Sequence, residues 1–193
     1  MPRRPNPDLE ERILIAARRL WQKGGEKALT MRAVAKTAAT NTPAVYRRFQ
    51  NRHDILCALL RRAQRDVVAA VEPCSSPEEA CERYVEFAMN HPHEYSLFYE
   101  QAYQLPIPVR QGHTPPLREH RPTMALMEGK LADRLGGTGS DYTRLSLALW
   151  TMSHGTAMLL ISKAIPDEHV AELRSAFTAA VATLISNAPR MSA

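Results

Sequence analysis

The sequence predicts an all-α fold, and three observations carry that prediction. Apolar residues recur at spacings of three and four along most of the 193 residues. No stretch shows the period-two alternation of a strand, and no internal repeat divides the chain. The breaks between periodic segments fall on glycine, proline and small polar residues that start or stop helices. About nine helices follow, three of them in an N-terminal head, residues 8–56, and the rest in a C-terminal body, residues 57–188.

Residues 1–7 hold three prolines and form no helix; they are expected to make a basic arm carrying Arg3 and Arg4. From Asp8, the positions Leu9, Ile13, Ala16, Ala17, Leu20 and Trp21 share one face of a first helix, which Gly24-Gly25 should stop. Thr30 is placed to cap a helix over residues 31–37, and Asn41 a helix over residues 42–49. The intervening Ala38-Ala39-Thr40 allows only a tight turn, so the two helices must cross steeply, which is how a helix-turn-helix is built. Asn51 and Asp54 look like the start of a fourth helix over residues 51–71, with Ile55, Leu56, Leu59, Leu60, Ala63 and Val67 on its apolar side.

Residues 72–77 break the pattern. Ser76-Pro77-Glu78-Glu79 restarts it with an N-cap serine, a proline at the first helical position and a glutamate at the third. That helix reaches Asn90, and Pro92 opens another through Tyr95, Leu97, Phe98, Tyr99 and Tyr103. Five prolines and Gly112 make residues 105–122 the least regular stretch. Helical periodicity returns over residues 123–135, stops at Gly136-Gly137, resumes over residues 141–164, and restarts at Pro166 to run to Ser186.

With 45% hydrophobic and 23% charged residues, the composition is that of a soluble globular protein. The net charge of +5 conceals an asymmetry. Residues 1–62 hold 14 Lys/Arg against 5 Asp/Glu, whereas residues 63–193 hold 11 against 15. The basic part is suited to phosphates and the acidic part is not. No run of 18 apolar residues and no apolar signal segment occurs, so a cytoplasmic protein that does not enter the membrane is expected. Cys57, Cys74 and Cys81 lack C-x-x-C spacing and should be reduced, packed thiols.

Enzymatic motifs are missing: there is no G-x-x-x-x-G-K-[ST], G-x-G-x-x-G, G-x-S-x-G or H-E-x-x-H. His91 and His93 have no further ligands in reach of the pattern, and Ser153 beside His154 is no dyad, because helix neighbours point apart. No catalytic residue, metal site or cofactor is therefore expected. Nor does the sequence offer the aromatic platform of an RNA binder or the long cationic helix of a membrane-surface protein.

Residues 8–62 resemble the tetracycline-repressor (TetR) family of transcriptional regulators. The family pattern is approximately I-L-x-A-A-x-x-L-F, a glycine, then T-x-x-x-I-A-x-x-A-G-V-S-x-x-x-L-Y-x-x-F-x-x-K-x-x-L. Ile13, Leu14, Ala16, Ala17, Leu20, Trp21, Gly24 or Gly25, Thr30, Val34, Ala35, Ala38, Asn41, Val45, Tyr46, Phe49, Arg52 and Leu56 fall at matching places. Ala39 replaces the usual turn glycine, Thr40 the valine, Asn41 the serine and Arg52 the lysine. Alanine pays a penalty if the turn needs positive φ. The resemblance implies that the second helix of the motif enters the major groove while the first spans the backbone. Asn41, Thr42, Ala44, Arg47 and Arg48 are expected on its early and outward turns, Arg32 and Pro43 join the DNA-facing set, and Val45 and Phe49 face the core. By resemblance, Tyr46 looks like the family's phosphate-contacting tyrosine, and Thr30 and Arg52 like further phosphate contacts at helix starts.

The family dimerises through its last two helices. The corresponding apolar candidates are Leu145, Leu149, Met152, Thr156 and Leu159, with Val170, Phe177, Val181, Leu184 and Ile185, some of which must instead fill the monomer core. Trp150-Thr151-Met152-Ser153-His154-Gly155 resembles the W-x-x-x-H-G signature of one subgroup. Trp150 and His154 lie one turn apart on one face. With Tyr95, Phe98, Tyr99, Tyr103, Met124, Met127 and Met158 they are the candidates for an effector pocket. The expected protein is a homodimeric repressor on a palindromic double-stranded operator, released by a small hydrophobic effector whose signal the fourth helix transmits. A corepressor role for that molecule, or a non-specific architectural DNA binder, stays open.

Overall fold

The computed structural model describes residues 7–101 and 117–189; Arg3, Arg4, Tyr103 and most of the irregular stretch at 105–122 lie outside the described residues. Ten α-helices follow in order: α1 Pro7–Ala28, α2 Met31–Thr37, α3 Thr42–Tyr46, α4 Arg52–Val71, α5 Pro77–Asn90, α6 Pro92–Gln101, α7 Leu117–His120, α8 Pro122–Leu135, α9 Thr143–Ile161 and α10 Val170–Ser186. Setting aside the single turn α7 leaves the nine that the periodicity predicts. Short 3₁₀ turns at Gly139–Tyr142 and Asp167–His169 lead into α9 and α10. No strand occurs among the described residues.

The chain divides into two compact units, Met1–Ala63 with Leu97–Leu105, and Gln64–Ser96 with Pro106–Ala193. The N-terminal unit is organised around one apolar cluster. Ile13, Leu14, Ala16 and Ala17 come from α1, Leu29 precedes α2, Val34 and Ala35 lie on α2, Val45 and Phe49 on and after α3, and Ile55, Leu56, Leu59 and Leu60 on α4. Leu97 of α6 completes it. Each large side chain of that set removed from water contributes about 1.5–3 kcal/mol before entropy is counted.

Its helix starts use the side chains that the sequence marks. Thr30 Oγ1 accepts from the Ala33 amide at 3.2 Å, and Asn41 Oδ1 from the Ala44 amide at 2.9 Å. Asn51 Oδ1 accepts from the Asp54 amide at 3.0 Å while Asp54 accepts from the Gln50 amide, which fixes the start of α4. The glycines of α1 do break the helix, with Gly25 at φ 59°, but helical turns resume and carry it to Ala28. α3 is shorter than expected, because after Tyr46 the chain tightens: the Arg48 amide donates to Val45 O, three residues back, at 2.9 Å.

In the C-terminal unit α9 packs along α5, with α8 and α10 against the same pair. Ser76 Oγ caps α5 by accepting from the Glu79 amide at 3.1 Å. Gly136 at φ 86° and Gly137 at φ 72° turn the chain after α8, and Thr138 and Asp141 cap each other's backbone at the next start. On α10 the buried residues Phe177, Val181 and Ile185 recur every fourth position, so one narrow stripe serves the core. Leu149, Thr156, Phe177, Val181 and Ile185, offered by sequence for pairing between chains, are thus buried within the chain itself. Leu145, Met152 and Val170 are half-buried, whereas Met158, Leu159 and Leu184 are exposed.

Candidate DNA-reading surface and effector pocket

The caps that begin α2 and α3 also expose their neighbours. Thr30, Arg32, Asn41, Pro43, Tyr46 and Arg47 are all exposed, and Tyr46 keeps 52% of its surface in water despite being aromatic. Thr30 spends an acceptor lone pair on its cap, so its hydroxyl proton stays available to a phosphate. Thr42 is half-buried. Ala44, grouped by spacing with the outward residues, is buried instead: beside Val45 on a helix of only five residues, it falls on the core-facing arc.

The arginines divide. Arg48, its side chain only 18% exposed, turns toward α1 and pairs with Glu10 at 3.8 Å. Arg52 pairs with Glu26 at 2.8 Å and reaches the Glu26 carbonyl. Arg32, Lys36 and Arg47 have no carboxylate partner among the described residues, so their charge remains for an external anion. Arg12 has a part that spacing did not single out. Its guanidinium donates to the carbonyls of Ala38 and Ala39 at 2.7 and 3.0 Å, clamping the turn between α2 and α3. The turn residue Ala39 takes φ 51°, the left-handed conformation that the missing glycine would have adopted freely.

In the C-terminal unit, Val71 of α4, Ala80, Cys81 and Tyr84 of α5, Thr123, Met124 and Met127 of α8, and Ser146, Trp150 and Ser153 of α9 surround a cavity. It encloses about 20 Å³, the room of one water, within about 340 Å³ of free space when its mouth is counted. The Tyr84 hydroxyl is the polar hub of this wall. It accepts from Trp150 Nε1 at 3.1 Å and lies 3.1 Å from the Tyr95 hydroxyl, which is 2.6 Å from His154 Nδ1. The rings are fixed as well: Tyr84 and Tyr95 meet edge to face, Trp150 stacks on His154, and the Arg121 guanidinium lies 5.8 Å from the centre of the Trp150 ring. Burial, reinforced by the Arg121 charge, holds His154 below its ordinary pKa of 6.5. Burial pushes the Cys81 thiol up to about 12, so it stays protonated. Ser153 donates to the Leu149 carbonyl at 2.8 Å, but the buried Ser146 hydroxyl has no partner among the described residues.

Of the pocket candidates read from sequence, Met124, Met127 and Trp150 line this cavity. Tyr95 stands one hydrogen bond behind Tyr84, and His154 a second one behind Tyr95. Phe98 and Tyr99 pack edge to face on each other within the N-terminal unit, and Met158 is exposed away from the lining. Sequence spacing does not mark Tyr84, Cys81, Ser146 and Ser153 as lining residues, because it is that of any core helix face. Among the described residues no cluster of three metal-ligating side chains occurs, the three cysteines are free and buried, and no helix is long and apolar enough to cross a membrane.

Similar architecture is found in known proteins. A putative regulatory protein, SCO4313, has a TM-score of 0.71 at 21% identity, over 92% of this chain and 95% of that one. A TetR-like transcriptional regulator from Rhodococcus sp. RHA1 gives 0.65 at 20% identity, over 96% and 100%. The multidrug binding protein EbrR, solved with imidazole, gives 0.61 at 24% identity, over 99% and 96%. At these identities the likeness is one of fold. No curated protein sequence matches the chain significantly. Residues 13–59 match the family described as bacterial regulatory proteins, tetR family, and residues 78–184 match the tetracyclin repressor-like C-terminal domain. With both domain types present in order, and the second spanning more than half of the residues, this chain belongs to the TetR family, whose members are DNA-binding transcription factors rather than enzymes.

Proposed function

We propose that the protein is a cytoplasmic, homodimeric repressor that reads a palindromic operator and is released from it by a small hydrophobic effector. In this reading residues 8–56 form the DNA-binding domain, residues 57–188 bind the effector and the second copy, and the C-terminal domain falls in the W-x-x-x-H-G subgroup. The observation that carries it is the exposed group Tyr46, Arg47 and Arg32 on the helix-turn-helix, with neither arginine neutralised by a carboxylate among the described residues. Such a surface fits a phosphate backbone, and Asn41, Thr42 and Pro43 at the start of α3 are placed to meet base edges. Arg48 and Arg52, tied to Glu10 and Glu26, serve the reading head by holding α1 to it, and engage phosphate only by exchanging those partners. Two heads set on half-sites about 34–36 Å apart supply the affinity that one lacks. The apolar cavity with a few polar handles supports the effector role, and a fold shared with a multidrug binding protein agrees with it.

A gel-shift series tests the reading. The wild type should prefer a palindrome drawn from DNA flanking its gene over random duplex by roughly 10³-fold or more. Tyr46→Phe should weaken both complexes about two- to tenfold, the value of one hydrogen bond, and Arg47→Ala should also lower the salt slope by about one. Equal affinity for random duplex would replace the repressor with an architectural binder, and unchanged binding by both variants would remove this surface from DNA contact.

A further inference from the structure

We infer that the effector of this protein is a compact, uncharged molecule that presents one hydrogen-bond acceptor, such as a carbonyl oxygen, to the hydroxyl of Ser146. The inference rests on the reading of the cavity between α5, α8 and α9 as the effector site, and it specifies what that site accepts.

Charge is excluded by the wall itself. None of the ten described lining residues carries a carboxylate, ammonium or guanidinium, and the lining thiol Cys81 remains neutral. An ion entering this space would lose its hydration with no counter-charge in the wall, which is far costlier than burying a neutral dipole. The nearby cations are held outside it: Arg121 lies against the Trp150 ring, and Arg118 is paired with the buried Glu128 at 3.3 Å.

The polar requirement comes from hydrogen-bond accounting along one face of α9. Ser146, Trp150 and Ser153 stand four and three residues apart, and all three line the cavity. The Trp150 N–H is committed to Tyr84 and the Ser153 O–H to the Leu149 carbonyl. Ser146 makes no corresponding bond to its own helix, is 0% exposed, and has no hydrogen-bond partner among the described residues. A buried hydroxyl in that condition is a stored deficit, which an acceptor on a bound molecule cancels. Around it Val71, Ala80, Met124 and Met127 provide apolar surface, and the two methionines have the rotamer freedom to enlarge a space now no bigger than a water.

Three probes of nearly equal size separate the possibilities: acetophenone, with a carbonyl acceptor; ethylbenzene, without one; and benzoate, with a charge. Binding is followed by NMR of the full-length protein carrying ¹³C-methyl methionine, in the wild type and in Ser146→Ala. Acetophenone should shift the Met124 and Met127 methyl signals, with a Kd about five- to tenfold below that of ethylbenzene. Ser146→Ala should erase that ratio without weakening ethylbenzene, and benzoate should bind at least tenfold more weakly than acetophenone. If neither neutral probe moves the two methyl signals, the cavity is not the effector site and the underlying reading fails. If both move them but the ratio is the same in Ser146→Ala, or benzoate binds as well as acetophenone, the cavity stands and the inferred chemistry falls.

Discussion

Ala39 holds φ at 51°, where a side chain with a Cβ costs about 1–2 kcal/mol relative to the right-handed region. The sequence exposes this cost in advance, since alanine stands where the family places glycine, and the structure supplies the angle that makes the cost real. Arg12 offsets part of it by gripping both carbonyls of the turn. Glycine in that place relieves the strain but surrenders about 0.5–1 kcal/mol of chain entropy. Ala39→Gly should therefore stabilise the protein by about 0.5–1 kcal/mol, read as a raised denaturant midpoint at unchanged m-value, and a lowered midpoint would show that the turn is not strained. His154 gives a second expectation. Burial and then Arg121 lower its pKa from 6.5, so the unfolded chain takes up a proton there before the folded protein does. Its contribution to stability is whole above pH 6.5 and declines as pH falls through 6.5 toward the lower folded pKa. Thermal unfolding followed from about pH 8 to 5 should show that decline in the wild type and a flatter profile in His154→Gln; parallel profiles would mean that His154 titrates alike in both states.

At the scale of elements, what was legible in the sequence was what local chemistry decides. Thr30, Asn41 and Ser76 mark helix starts because each cap is an interaction between a side chain and an amide three residues on. The end of α8 is legible for another local reason, since Gly136 takes φ 86°, which glycine adopts without strain. The end of α3 was not, because after Tyr46 the Arg48 and Phe49 amides share the one Val45 carbonyl, while Phe49 lies in the apolar cluster, and no capping side chain marks that change. The cavity was half legible. Trp150, Met124 and Met127 stood out by residue type, whereas Tyr84 and Ser146 belong to it only because α5, α8 and α9 meet, which spacing along one helix does not reveal. Phe98 and Tyr99 show the converse error. Aromatic richness near Tyr95 suggested one pocket, but the chain passes between its two compact units inside α6, so neighbours in sequence belong to different cores.

At the scale of the whole molecule, the outward sides of α9 and α10 pose the remaining question. α9 carries only Arg144 and His154 as ionisable residues, and α10 only Glu172 and Arg174. With one stripe of each helix used inside the chain, Met158, Leu159 and Leu184 are left in water, each 37–38% exposed, beside half-buried Leu145, Met152 and Leu173. A second copy laid on this surface would bury it as a four-helix bundle and fix two reading heads as a unit. On that account Leu159→Lys or Leu184→Glu, each placing a charge in the pairing surface, should convert the protein from two chains to one in sedimentation equilibrium without lowering its helix content. The same variants should lose about 10²-fold or more in affinity for the palindrome, because the second head no longer binds at the effective concentration that the first provides. Binding to a single half-site, which needs one head, should change little. A wild type that sediments as one chain, or variants that stay paired, would place the dimer interface elsewhere.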